Sequence, residues 1–279
     1  MGEAIGNECQ AEGVSVILGP AVNIKRSPLC GRNFEYYSED PCLATEIAGA
    51  LIHGVQSKNV GTSIKHFLAN NQETRRLSSD SRVDERTLHE IYLAAFEGAV
   101  TKEKPWTVMC SYNRINGTYA AENHKYLTEV LRDQWKFDGY VMSDWGAVNN
   151  RVADLKAGLD LEMPASGGTN DELIVRAVQS GALEESVVDT AVERILNIVF
   201  RYEEHRDKTA VFDRDKDHEL ARKVAQETIV LLKNEGVLPL EEKKQIAFIG
   251  KYVKKPRYQG GGSSHINSHK VTAAWDVIK

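Results

Sequence analysis

A handful of side chains in this sequence could do chemistry on a polyhydroxylated molecule, and most of them fall at the ends of apolar runs. Asp144 closes the segment GYVMSDW (Gly139 to Trp145), where Tyr140, Val141 and Met142 read as a buried strand. An acid at the C-terminal end of such a strand sits where α/β barrels keep their active sites. Trp145 beside it offers a flat apolar face for stacking. Lys65 and His66 end a second run, Tyr112 and Asn113 a third above Met109, and Arg32 lies in the loop GRNFE after the first. Lys, His and Arg donors, carboxylate acceptors and an aromatic surface are what a sugar ring requires.

Each residue also has a plainer reading. Asp144 could cap the following helix. Lys65 and His66 could be a buried ion pair and a satisfied imidazole. Arg32 could bond Glu35 or Glu39 to order its loop, and Tyr112 could be a core aromatic. Asp160 and Glu162, flanking Leu161, could supply a second carboxylate, but a supporting role is favoured. A metal site built from His66, Asp144 and Glu162 is disfavoured, because no HxH or HExxH pair places two ligands on one element. No metal and no cofactor are expected. The Gly260 to Gly262 run lacks the Gly-Lys-Thr ending of a nucleotide loop, and Ser143 is not set in a GxSxG elbow.

The elements that must position these residues follow a repeating order of apolar run, polar loop and amphipathic helix, the signature of a parallel sheet. Strands are predicted at Val14 to Leu18, Thr62 to Lys65, Thr107 to Ser111, Tyr140 to Ser143 and Leu159 to Leu161, with a weak one near Glu184 to Val188. Helices are predicted on the stripe Leu43, Ile47, Leu51, Val55, on Leu88 to Ala99, and over Tyr126 to Trp135, Asp171 to Ser180 and Val187 to Phe200. In the last of these, Val188, Ala191, Val192, Ile195 and Val199 are expected on one face. Pro41 after Asp40, and Asp84, mark two helix starts. The fold class is α/β, an incomplete (β/α)8 TIM-type barrel over residues 1–202. A charged linker at 203–217 and the beginning of an α/β sandwich domain at 218–279 follow. That second part is predicted to hold a helix from Glu219 to Lys233 and a strand from Ile246 to Gly250. Five βα units cannot close an eight-stranded barrel, so both ends are expected to be truncated.

With 279 residues, 42% apolar composition and a net charge of −5, the chain can build a sizeable core and offers no basic face for a nucleic acid. The pairs Lys243–Lys244 and Lys254–Lys255 read as solvated surface. No apolar run approaches the about 20 residues of a membrane span. Cys9, Cys30, Cys42 and Cys110 have no metal spacing or disulfide framework, which favours a reducing, cytoplasmic setting. A homo-oligomer is compatible with the composition.

Taken together, GRNFEYYSEDP (31–41), KHFLANNQE (65–73), MCSYNRING (109–117) and GYVMSDWGA (139–147) resemble glycoside hydrolase family 3, of the β-glucosidase type. The similarity extends through AGLDLEMP (157–164) and ETIVLLKNEGVLPL (227–240), nearly the whole chain. It implies retaining, exo-acting hydrolysis of terminal β-D-glucosyl residues, with a small β-glucoside or oligosaccharide as substrate. Asp144 would attack the anomeric carbon and form a covalent glycosyl-aspartate. By the same resemblance Arg32, Lys65 and His66 hold sugar hydroxyls, while Tyr112, Trp145 and Met109 line the pocket. A further sugar-binding Asp is expected before the start of this chain, and an acid/base Glu from the second domain. Glu235, Glu241 and Glu242 match no acid/base motif, so an inactive sugar-binding fragment is the alternative. The N-acetylglucosaminidase branch carries KHFPGHG where this chain has Leu68 to Glu73, which favours β-glucosidase. A β-xylosidase or broad β-glycosidase stays open.

Overall fold

The computed structural model describes residues 1–241 and 245–278. It divides into two compact units, 1–212 and 213–279. The expected Lys243–Lys244 pair and Glu242 lie outside the described residues.

In the first unit, α1 (Gly2–Glu12) leads to β1 (Val16–Ile17), α2 (Pro41–Gln56), β2 (Gly61–Phe67) and β3 (Asp80–Ser81). A short α3 (Glu85–Thr87) runs through a π turn at Leu88–Tyr92 into α4 (Ala94–Glu103). Then come β4 (Thr107–Cys110), the hairpin β5 (Arg114–Ile115) and β6 (Thr118–Tyr119), and a π-helical segment, Lys125–Gln134. The unit finishes with β7 (Tyr140–Met142), α5 (Arg151–Ala157), α6 (Thr169–Gln179) and α7 (Glu185–His205). The main sheet is parallel in the order β1-β2-β4-β7. The strand expected at Leu159 to Leu161 is reduced to one parallel bridge between Leu161 and Met142. The weak strand near Glu184 to Val188 does not form, because α7 starts at Glu185.

Local signals explain the helices. Asp40 caps α2 by accepting the Cys42 N–H, and Pro41 takes the first turn, where its missing N–H costs nothing. Asp84 caps α3 through the Thr87 N–H. Alternation along the strands then divides the core into two layers. Ile64, Val108, Cys110 and Val141 pack against α2, α4 and the π-helical segment through Ala44, Ala48, Ile52, Phe96, Leu127 and Leu131. The opposite face, Met109, Tyr140 and Met142, is covered by Ile195, Ile198 and Tyr202 of α7 together with Trp106. The buried stripe of α7 therefore runs 191, 198, 202, and the expected Val192 and Val199 stay 47% exposed. Strands β4 and β7 approach so closely that a Cβ on Gly139 would lie 1.9 Å from the Trp106 carbonyl oxygen.

In the second unit, α8 spans Arg214–Glu227 and α9 Ala274–Ile278. The helix expected at Glu219 to Lys233 is thus shifted toward the N-terminus. Asp213 starts it by accepting the Asp215 and Lys216 N–H groups, inside the stretch read as linker. It stops before Ile229 and Val230, β-branched residues that find no apolar surface to bury against. The strand expected at Ile246 to Gly250 is also absent: among the described residues of this unit no strand forms, and a lone strand has no ladder to satisfy its backbone. Lys254 and Lys255 are exposed, as expected.

Candidate active site

At the carboxyl end of the parallel sheet, the loop after β7 holds Asp144, which is only 7% exposed. Its two oxygens are treated differently. Oδ1 accepts the Tyr112 hydroxyl at 2.9 Å and the Trp145 backbone N–H at 2.7 Å. Oδ2 has only longer neighbours, Arg32 Nη1 at 3.5 Å and His66 Nε2 at 3.7 Å. The strand end therefore fixes the carboxylate through one oxygen and leaves lone pairs on the other.

Arg32 is the hinge of this cluster. Its Nε donates to Glu35 Oε1 at 2.6 Å, so the loop-ordering role weighed from sequence is real, and Nη2 donates to His66 Nε2 at 2.6 Å. Accepting that bond puts the imidazole proton on Nδ1, which faces Asn23 Oδ1 at 3.3 Å. His66 is fully buried, and Asn23 also holds its main chain from both sides, through the His66 N–H and C=O. Burial, followed by the Arg32, Lys65 and Arg76 cations, holds the imidazole well below its ordinary range, so it is neutral at physiological pH. Lys65 Nζ lies 3.4 Å from Glu35 Oε2, which ties Lys65 and Arg32 to one acid.

Tyr112 caps the other side. Its hydroxyl also reaches the Trp145 carbonyl at 3.0 Å, and burial together with the Asp144 charge pushes its ionisation far above the ordinary range. It can serve only as a hydrogen-bond donor here. Trp145 is 43% exposed, available for stacking, whereas Met109 is buried in the layer beneath. The structure thus brings Arg32, Lys65, His66, Tyr112 and Trp145 around Asp144.

Sequence reasoning missed several neighbours. Arg76 places its guanidinium 4.5 Å above the Tyr112 ring and bonds Glu73 at 2.8 Å, adding a cation to the cluster. It sits three residues past the KHFLANNQE motif in an irregular loop, where no periodicity marks it. Asn23 and Tyr36, whose hydroxyl bonds the Asn70 carbonyl, were missed as well; they complete the support beside Glu35, the partner already expected for Arg32.

Asp160 does not join the site. Its Oδ2 takes Arg132 Nη2 at 2.5 Å and the Val141 N–H at 2.7 Å, and its Oδ1 takes Arg194 Nη1 at 3.0 Å. Glu162 accepts from Asn170 at 2.6 Å. Among the described residues no three His, Cys, Asp or Glu side chains gather as metal ligands. A separate cavity of about 780 Å³, between Arg26 to Pro28, Asn71, Gln72 and Asp80 to Asp84, shares no lining residue with the Asp144 cluster. Its acids are already engaged, Asp80 by Gly117 and Arg82, and Asp84 by Thr87.

Comparison with known proteins agrees with this geometry. The chain is 58% identical over its full length to "Thermostable beta-glucosidase B" of Acetivibrio thermocellus, and spans 37% of that protein. It is 50% identical to an "Exo-alpha-(1->6)-L-arabinopyranosidase" of Bifidobacterium longum, spanning 38% of it. The structure of beta-glucosidase 3B from Thermotoga neapolitana in complex with alpha-D-glucose superposes with a TM-score of 0.95 at 44% identity, over 99% of this chain and 40% of that one. The first unit is accordingly α/β of the TIM-barrel type. The Glycosyl hydrolase family 3 N terminal domain matches residues 1–198, and the C-terminal domain of the same family matches 229–279. With both domain matches falling on one chain, it belongs to glycosyl hydrolase family 3.

Proposed function

We propose that this chain forms the sugar-holding, nucleophile-bearing part of a retaining, exo-acting β-glucosidase. The observation that carries the reading is the asymmetry of Asp144: one oxygen anchored by two short hydrogen bonds, the other facing Arg32 and His66 without a short partner. An oxygen so placed attacks the anomeric carbon as the glycosidic C–O bond breaks, giving a glycosyl-aspartate that water then cleaves. The neighbouring Arg32 guanidinium, 3.5 Å from Oδ2, places a positive charge beside the attacking oxygen. Arg32, Lys65 and Arg76 offer donors to the hydroxyls of the terminal sugar, neutral His66 orients Arg32 through its Nε2, and Trp145 offers a stacking face. Met109 supports these groups from the buried layer beneath.

Because the chain spans 37% of its A. thermocellus relative, activity belongs to an assay on a parent of the relatives' length. Mass spectrometry of that parent after incubation with a 2-fluoro-glucoside is expected to find the label on Asp144; label on another residue overturns the assignment. The relative named as an arabinopyranosidase makes the sugar itself the second question. β-Glucosides, β-xylosides and α-L-arabinopyranosides compared by kcat/KM decide it. A pocket that only packs against the hydroxymethyl group separates glucoside from xyloside by about 1 to 3 kcal/mol, whereas one that hydrogen-bonds its hydroxyl separates them by much more.

A further inference from the structure

Behind the Asp144 loop lies an acid that the proposed chemistry does not use. Asp154, on α5, has no exposed surface, and neither of its carboxyl oxygens has a hydrogen-bond partner. The obvious cation on its own helix is spent elsewhere: Arg151 donates to the backbone carbonyls of Leu159 at 3.1 Å and Asp160 at 2.7 Å. On the other elements packed against α5 the cations are also committed. Arg132 and Arg194 serve Asp160, and Arg176 serves Glu172. The remaining groups whose charge reaches Asp154 are acids, Glu122 from the turn after β6 and Glu162 from the segment beyond the Leu161 bridge. On the β4 side stands the buried Cys110 thiol, which senses the charges of both Asp154 and Asp144 and whose sulfur accepts the Asp144 backbone N–H.

We propose that Asp154 is a proton-linked lock on α5: buried as the neutral acid it lets the helix pack, and losing the proton weakens that packing. A bare carboxylate in a dry site with no donor is far costlier than a carboxylic acid there. Burial is the chief cause of the shift, which takes the group up to about 7, with the Arg151 cation only partly opposing it. The helix matters because it begins where the site loop ends. Asn150 caps it through the Ala153 N–H, and Thr128 fastens its last turn at the Ala157 carbonyl. Loosening α5 therefore loosens the end of the site loop that runs into it, residues 148–150.

The sign follows from linkage. In the unfolded chain the carboxyl titrates near its ordinary value of about 3.9, and in the fold near 7. Its contribution is fully present below about pH 4, is lost as pH rises toward 7, and levels off beyond that. The test is urea unfolding of the 279-residue chain followed by the fluorescence of buried Trp106 and Trp135, at pH 4.5 and 7.5, beside D154N. On going from pH 4.5 to 7.5 the folding equilibrium of the wild type is expected to fall, relative to D154N, by about a hundredfold or more. A relative change of less than tenfold overturns the proposal. Should D154N fail to fold, a titration of the wild type labelled with ¹³C at the aspartate carboxyls decides instead. One resonance titrating near neutrality supports the lock; all of them titrating below about pH 5 refutes it.

Discussion

Asp144 follows β7 and Asp160 lies beside that strand, one residue ahead of the Leu161 bridge; both are nearly buried, and yet they do opposite work. Asp160 is saturated: two guanidinium groups and a backbone N–H take both its oxygens, joining the π-helical segment, β7 and α7. Burial draws the Arg132 guanidinium down to about 10 even with that carboxylate beside it, the mark of a dry pair. Asp144 is held as firmly through Oδ1 alone, with Oδ2 left without a short partner between Arg32 and His66. A carboxylate with both oxygens engaged at short range is a structural bolt. One held by half can still form a bond.

Three substitutions bear on that contrast. The largest effect is expected for Asp144→Ala in the full-length parent, a fall in kcat of about 10⁴-fold or more, measured with a nitrophenyl glucoside. If Asp160→Ala were to lose activity as steeply while staying folded, the contrast would be wrong. Instead, Asp160→Ala should act on stability, costing about 3 to 5 kcal/mol in urea unfolding, because it strands Arg132 and Arg194. The smallest change, Tyr112→Phe, removes one of the two short bonds to Oδ1. A hydrogen bond to a charged group is worth about 1.5 to 3 kcal/mol, so kcat/KM should drop roughly ten- to a hundredfold. An unchanged value would mean that the Trp145 N–H alone is enough to hold the carboxylate.

Much of this was legible from sequence where period and punctuation agreed. The Val108, Val141 and Ile64 runs form adjacent parallel strands, and Asp40 with Pro41 starts a helix where it should. The strand-end residues Lys65, His66, Tyr112 and Asp144 meet because a parallel sheet has one carboxyl edge. Arg76 was illegible because its place depends on an irregular loop folding back over Tyr112. The stripe of α7 was legible at Val188, Ala191 and Ile195 and misread at Val192 and Val199: Val199 and Ile198 are equally apolar, and only the facing Met109 and Tyr140 decide which is buried. The end of α8 and the missing strand at Ile246 share a cause. An apolar run is ambiguous until a partner surface covers it, and Leu232 is 92% exposed.

The placement of α7 has a practical corollary. Its Ile195, Ile198 and Tyr202 cover Met109 of β4 and Met142 of β7, the strands that lead into Tyr112 and Asp144. A protease nick or a gene shortened ahead of Glu185 would strip that cover and wet one whole face of both strands, so the site would lose its footing with every residue around Asp144 still intact.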